Sequence, residues 1–404
     1  MDVASARWLV SAAARPALAA AAEFADPASL AAAESLRRSC APDQAAAALT
    51  QVALRRRARA KFGDRADRMF FTSDGLQQAT RSVVARWRAA RFAVAGVRTV
   101  VDVGCGLGAD ALAFADAGLE VIGVEADPVT AVFAQANIGD RGRIVCARAE
   151  DVAEGLLASA LDVGVFIDPA RRNARGRSWR LADLSPSWEF ATALLRGRFG
   201  CLKAAPGLEL SQVDDEAEAN WVSESGDLVE LSLWTDGTDN HGVRAAVLLP
   251  AGDRLDVDPS AEASTGAVGA WLYEPGPAVI RSGGVDTLAA RLGAHRLAAG
   301  IAYLSAEAAA DTPFATAFEV RDILPHDERA LRAWVRANGV GTLELKTRGL
   351  GVDPAVLRRR LKPSGPASAT LVLTPTPDGA RALVVHRPLP LDGVGRQQHR
   401  WHSA

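Results

Sequence analysis

A glycine loop and a series of acids stand at regular spacing in the middle of the chain. Gly104, Gly106 and Gly108, with Cys105 between the first two, make GxGxG in "VVDVGCGLGAD". Asp102 lies two residues before the first glycine. Glu125 with Ala126, then Glu150 with Asp151, then Asp168 follow, after successive apolar runs. Glycines between a strand and a helix allow a tight turn and close approach of a ligand to backbone. "GCGLGA" also satisfies the dinucleotide variant GxGxxA, but the strand before that loop is normally apolar where Asp102 stands. A carboxylate there repels a pyrophosphate and attracts a cationic ligand. Glu125 is placed to accept a pair of ribose hydroxyls, and Glu150 to accept from an exocyclic amine. Cys105 reads as a small loop residue rather than a nucleophile.

The last acid opens "DPARRNARGR". An acid and a proline closing a strand mark the lip of a site. Arg171, Arg172, Arg175 and Arg177 follow. A guanidinium binds phosphate bidentately or stacks on a base. The competing reading is a solvated turn, its arginines paired with acids such as Asp183 or Glu189. Trp179 and Trp188 are stacking candidates, or packing residues.

These residues need a scaffold. "TVVDVG", "EVIGVEAD", "RIVCARAED" and "LDVGVFIDP" read as strands, and "ADALAFADAG" and "PVTAVFAQANIG" as helices between them. Strand and helix in alternation predict a parallel sheet with right-handed crossovers. Such a sheet puts the glycine loop and the acids along one ligand-binding edge. "LVELSLW" and "RAAVLLP", joined by "TDGTDNHG", predict a hairpin at a sheet edge. Residues 1–95 read as helical and 96–250 as the α/β core. Residues 251–268 have linker composition, 269–395 read as a smaller α+β region, and 396–404 as a tail. Thr72 or Ser73 caps a helix before that core, with Val83, Val84, Trp87 and Phe92 as the apolar stripe of the next turns.

Composition sets the bounds. The chain has 404 residues, 49% hydrophobic and 23% charged, with a formal net charge of -2. That is globular, and it lacks the global basic field of a dedicated nucleic-acid binder. Cys40, Cys105, Cys146 and Cys201 have neither zinc nor disulfide spacing, so reduced cytoplasmic thiols are expected. Neither a signal peptide nor a membrane span is expected, and no metal-ligand cluster is visible. Oligomeric state is not legible. "LRRRARAK" (54–61) and "LRRRLK" (357–362), the latter with Lys346 and Arg348, are local basic runs. They form either a phosphate-binding face or solvated helices.

The series Asp102, Gly104–Gly106–Gly108, Glu125, Glu150 and "DPAR" resembles the class I S-adenosylmethionine-dependent methyltransferases over about 97–250. "ARAKFGDRADRMFFTSDGLQQATRSVVARWRAARF", "DPARR", "LSPSWEFATALL" and "LELKTRGLGVDPAVLRRRLKPSGPASATLVL" resemble the bacterial members with a C-terminal THUMP-like domain, thought to act on RNA. The resemblance implies an α/β, Rossmann-like core with a mainly parallel seven-stranded sheet, an N-terminal helical region and a C-terminal α+β domain. It implies S-adenosylmethionine as cofactor, held by Asp102, Gly104, Cys105, Gly106, Gly108, Glu125, Ala126, Glu150 and Asp168. The N-terminal helices are also similar to those of the RNA-cap trimethylguanosine synthases, which adds Thr72 and, less directly, Phe71. Against that, Thr72 reads equally as a helix cap, and Phe70 and Phe71 as core.

Amino-directed methyltransferases carry an acid or Asn, two prolines and an aromatic residue. Here Asp168 and Pro169 fit, while Ala170 and Arg171 depart from the pattern. "DPAR" also resembles the "DPPR" of RNA uracil-5 methyltransferases, whose late cysteine motif Cys201 does not match. The expected function is direct methyl transfer to a base nitrogen of RNA. Asp168 and Pro169 would be catalytic, and Arg171, Arg172, Arg175 and Arg177 would hold the substrate. A small-molecule methyltransferase with an assembly domain, a non-catalytic RNA-binding scaffold and, more distantly, a dehydrogenase stay open.

Overall fold

A computed structural model describes residues 1–158, 162–171, 181–213, 217–236 and 242–388. The chain forms two compact units. The first comprises Met1–Ala219 and Glu230–Gly242, and the second Asn220–Val229 and Val243–Ala404.

The first unit begins with helices Val3–Val10, Arg15–Ala22, Leu30–Leu36, Pro42–Phe62, Ser73–Gln78 and Ser82–Val94. Asp2, Ser29 and Thr72 cap three of them with side-chain oxygens, and Pro16 and Pro42 sit in first turns where no N–H is needed. Their alanine-rich faces bury Leu9, Leu36, Leu49 and Val52 in one core with Phe71, Leu107, Leu112 and Phe133. This core therefore reaches the glycine loop and the helices that flank it.

The strands that follow are β1 (Thr99–Val103), β2 (Glu120–Glu125), β3 (Gly142–Cys146), β4 (Val163–Ile167), β5 (Phe199–Ala204), β6 (Glu218–Glu224), β7 (Asp227–Asp236), β8 (Arg244–Leu249) and β9 (Asp253–Asp256). Their hydrogen-bonded order is β9-β8-β6-β7-β5-β4-β1-β2-β3. β1 to β5 are parallel, with Thr99 opposite both Glu120 and Val163, and Val165 opposite Gly200. Helices Ala109–Asp116, Pro128–Ile138, Ala149–Ala158 and Trp188–Leu195 supply the crossovers. Central β1 is buried at every position, as expected of a strand covered on both faces.

Three expectations change. The sheet has nine strands rather than seven, and it is mixed, because β7 runs antiparallel to β5 with Phe199 opposite Asp236. The runs expected to pair as a hairpin, β7 and β8, are not neighbours. β6 stands between them, and β8 pairs instead with β9. The short turn at Ser225 and Gly226 brings β7 back onto β6, while most of "TDGTDNHG" lies outside the described residues. Finally, the expected linker contains β9, whose Leu255 is fully buried.

Besides β8 and β9, the second unit carries β10 (Trp271–Pro275), β11 (Leu304–Ala306), β12 (Ala315–Pro325), β13 (Val340–Thr347), β14 (Ala367–Thr376) and β15 (Gly379–His386). A two-residue strand, His295–Arg296, joins them in the order His295–Arg296, β11, β10, β12, β15, β14, β13. β13 and β14 are parallel, connected through helix Pro354–Leu361, and the other neighbouring strands pair antiparallel. Helix Glu328–Ala337 buries Leu331 and Val335 on this sheet. No described helix is long and apolar enough to cross a membrane.

Candidate functional site

The carboxyl ends of β1, β2, β4 and β5 form the candidate site. After β1 the backbone turns through Gly104, Gly106 and Gly108, all at positive φ (79°, 54° and 80°). The N–H groups of Gly104 and Cys105 donate to the Val124 carbonyl at 2.9 and 3.1 Å, tying the loop to β2. A Cβ on Gly104 would lie 2.7 Å from the Asp168 carbonyl oxygen, so only glycine lets the loop meet the end of β4 this closely. Gly106 N–H donates to Glu125 Oε2 at 3.0 Å and Asp127 N–H to Oε1 at 2.8 Å. Both bonds fix the Glu125 carboxylate beside the loop. Ala126 next to it is exposed. Burial raises the Glu125 carboxyl, and the backbone N–H groups pull it part of the way back.

Asp102 is fully buried, and neither of its oxygens has a hydrogen-bond partner among the described residues. Burial holds its carboxyl well above the usual range, and Asp110 and Asp168 push the same way. Cys105 is buried beside Gly123, and burial raises its thiol well above the usual value, as suits a packed loop residue. Cys201 is likewise core: burial pushes its thiol up to about 12.

Three side chains pin the segment that precedes the core. Arg55 Nε donates to the Met69 carbonyl at 2.8 Å. Asn137 accepts from Phe70 N–H at 2.7 Å and donates to the carbonyls of Phe70 and Leu107 at 3.0 and 2.9 Å. Fully buried Gln51 accepts from Phe71 N–H at 3.0 Å and donates to its carbonyl at 2.6 Å. The amide side chains thus treat this segment as a sheet edge and lay it against the glycine loop at Leu107. Phe71 is fully buried, and Phe70 stacks on Phe133 at 5.7 Å, so both are packing residues. Thr72 Oγ1 accepts from Gly75 N–H at 3.1 Å and caps the next helix.

Asp168 Oδ2 accepts from Lys203 Nζ at 2.7 Å, and Lys203 also donates to Thr80 Oγ1 at 3.0 Å. Lys203 and Thr80 were not among the expected site residues. The signal was a lone lysine inside the apolar run "GCLKAA", easily taken for a solvated strand end. Arg88 was missed too, because its helix reads as an ordinary amphipath. It is fully buried, pairs with Asp110 and Glu230, and lies 4.3 Å over the Phe166 ring.

Other expected residues are not brought here by any described contact. Glu150 lies in the first turn of helix Ala149–Ala158, 3.5 Å from Arg148 in an ion pair. Ala170 and Arg171 pair as a two-residue strand with Ser185 and Leu184. Arg172, Arg175, Arg177 and Trp179 lie outside the described residues. Trp188 is half-buried at the start of its helix. In the second unit Lys346 and Arg348 face Glu274 at 2.8 and 3.5 Å, and Arg360 faces Glu328 at 3.6 Å. Each of these three thus has an acidic partner, although Arg360 is exposed, as are Arg358 and Arg359. Among the described residues no cluster of three or more His, Cys, Asp or Glu could hold a metal ion.

Comparison with known proteins shows the family to which the chain belongs. The chain is 34% identical over 330 residues to an uncharacterised S-adenosylmethionine-dependent methyltransferase of Mycobacterium tuberculosis, in strains CDC 1551 / Oshkosh and H37Rv. The match covers 80% of this chain and 90% of each relative. The chain belongs to the S-adenosylmethionine-dependent methyltransferases. Residues 101–167 of this methyltransferase match the methyltransferase domain family, 315–387 the THUMP domain-like family, and 2–58 a domain of unknown function. The fold is shared with the crystal structure of a presumed methyltransferase from Porphyromonas gingivalis W83, at 22% identity and a TM-score of 0.75, covering 92% of this chain and 98% of that one.

The methyltransferase takes S-adenosylmethionine as its cofactor. Its residues fit that molecule. The cofactor bears a sulfonium and an ammonium, and Asp102 is a buried acid with no counter-charge bonded to it. Gly104 and Gly106 are part-exposed, nothing lies within 4 Å of where a Cβ on Gly106 would stand, and Glu125 is held beside them.

Proposed function

We propose that this methyltransferase modifies a base nitrogen of RNA by direct, in-line transfer. S-adenosylmethionine supplies an electrophilic methyl group on its sulfonium. The chain's residues do the rest. Asp102 balances the cofactor's positive charge, and Gly104, Cys105, Gly106 and Gly108 shape its cradle. Glu125 and Ala126 face the ribose, Glu150 the adenine, and Thr72 the cofactor from the helical region. The Asp168 carboxylate and the Pro169 carbonyl accept hydrogen bonds from an amine and aim its lone pair at the methyl group. The observation that carries this is the packing of Asp168 against Gly104, which sets the acid beside the cofactor loop.

RNA is favoured by the THUMP-like match at 315–387 and by the arginine-rich run after Pro169. Arg171, Arg172, Arg175 and Arg177 hold phosphate or stack on a base in this reading. The 96–250 region carries the transfer, and 269–395 holds the RNA, with Arg358 and Arg359 among its exposed cations. The cytoplasm is the compartment expected for such an enzyme. Two measurements test the proposal. Nucleoside mass spectrometry of RNA from cells with and without the protein should show one methylated base missing in its absence. Asp168→Ala should abolish transfer while keeping most of the cofactor affinity, and full activity in that variant removes Asp168 from the mechanism.

A further inference from the structure

Parallel pairing of β4 and β5 sets Ile167 opposite Leu202, so Asp168 and Lys203 are the next residues outward on adjacent strands. The ammonium bridges Asp168 Oδ2 at 2.7 Å and Thr80 Oγ1 at 3.0 Å. Both side chains of the ion pair are largely covered, at 16% exposure for Lys203 and 31% for Asp168, and Thr80 is buried. Thr80 lies between helices Ser73–Gln78 and Ser82–Val94. The bridge thus ties the acid at the lip of the sheet to the helical region. Among the described residues it occupies one carboxylate oxygen and leaves Oδ1 for another donor.

We propose that Lys203 is a positioning residue for methyl transfer, holding the Asp168 carboxylate in one orientation and balancing its charge. This rests on the role given to Asp168 above. A strand-end carboxylate without a tether samples several rotamers, and only some aim a lone pair at the nucleophile's N–H. The surrounding charges show why a cation is needed here. Desolvation first of all raises the Asp168 carboxyl and Asp110 adds to it, while Lys203 and, after it, Arg88 oppose them. Burial alone would lower the Lys203 ammonium, but Asp168, Glu230 and Asp110 outweigh it and keep it above the usual lysine range. Lys203 is therefore a protonated donor at neutral pH and not a general base.

The test uses the full-length protein and five variants: Lys203→Met, Lys203→Arg, Asp168→Ala, Asp168→Asn and Thr80→Val. The first readout is the titration midpoint of the Asp168 carboxyl by ¹³C NMR of aspartate-labelled protein, assigned with Asp168→Asn. Lys203→Met should move that midpoint to higher pH, and Lys203→Arg should return it toward the native value. A midpoint unmoved by Lys203→Met overturns the inference and leaves the role of Asp168 standing. The second readout is transfer from labelled S-adenosylmethionine to total RNA from cells lacking the protein. Lys203→Met should lower kcat by about 10- to 100-fold with the cofactor's KM little changed, and raising the pH should not restore the orientation loss. Native kcat in Lys203→Met beside an inactive Asp168→Ala also overturns the inference. Full activity in Asp168→Ala would instead remove the catalytic reading on which it rests. Thr80→Val, which cuts only the second arm of the bridge, guards against misfolding of the lysine variant and should give a smaller loss in the same direction.

Discussion

Replacing Asp102 by asparagine keeps the size of the side chain and removes its charge. In the folded chain the acid is fully buried, and neither oxygen is bonded among the described residues. Its carboxyl is held well above the usual range by burial first, then by Asp110 and Asp168. A cationic ligand binds its ionised form, so native affinity for S-adenosylmethionine should rise with pH. The asparagine variant should lose that dependence. A hydrogen bond or contact to a charged group contributes about 1.5–3 kcal/mol, which converts to a loss of about 10- to 150-fold in affinity. Stability moves the other way. The folded pKa lies above the unfolded one, so ionising the acid costs more in the fold than in the open chain. Stability of the cofactor-free protein therefore falls as pH rises from the unfolded carboxyl range toward the folded pKa. Asp102→Asn escapes that fall and should melt no lower than the native chain at alkaline pH. Calorimetric titration at about pH 6 and about pH 8.5, with thermal unfolding at the same two values, reads both effects. An Asp102→Asn affinity within about threefold of native at both values refutes the reasoning.

Three further substitutions bear on the same edge. Gly104→Ala puts a methyl group 2.7 Å from the Asp168 carbonyl in a backbone at φ 79°; it should cost about 1–3 kcal/mol in unfolding experiments and abolish cofactor binding, and a native melting curve with native affinity would contradict the geometry. Gln51→Leu leaves the N–H and carbonyl of buried Phe71 unpaired, a loss of about 2–4 kcal/mol by denaturant titration, with weaker cofactor binding as the 69–72 segment leaves Leu107. Arg88→Met strands Asp110 and Glu230 as buried acids and should cost about 3–5 kcal/mol. Burial would raise Glu230, but Arg88 and then Lys203 outweigh it and lower it, so its contribution holds above the usual carboxylate range and fades as pH falls through the folded pKa. Loss of stability in acid should accordingly be shallower in Arg88→Met than in the native chain.

Local pattern was enough to read much of this molecule. Apolar runs ending in Asp102, Glu125 and Asp168, with glycines after the first, specify parallel strands and a ligand edge, because strand period and turn chemistry are properties of a few neighbouring residues. The cap, one of the two readings of Thr72, and Phe70 and Phe71 as packing were legible for the same reason. Pairing among the later strands was not. β7 and β8 are consecutive apolar runs with a turn between them, and nothing local says that β6 will take the place between them. Hydrogen-bond ladders are satisfied by any strand of suitable pattern, so the choice is made by burial across the whole sheet.

Side-chain partnerships over long separations were hidden as well. Gln51 with Phe71, Asn137 with Leu107, Arg88 with Glu230 and Lys203 with Asp168 each join residues that no spacing rule connects. The sequence by itself determined that an acid and a glycine loop would share one end of a parallel sheet. Only the tertiary structure decided which charges would be buried together there. A buried acid either stands beside a counter-charge or, like Asp102, has its carboxyl raised by burial, and which strands and helices bring a partner is a property of the packed fold.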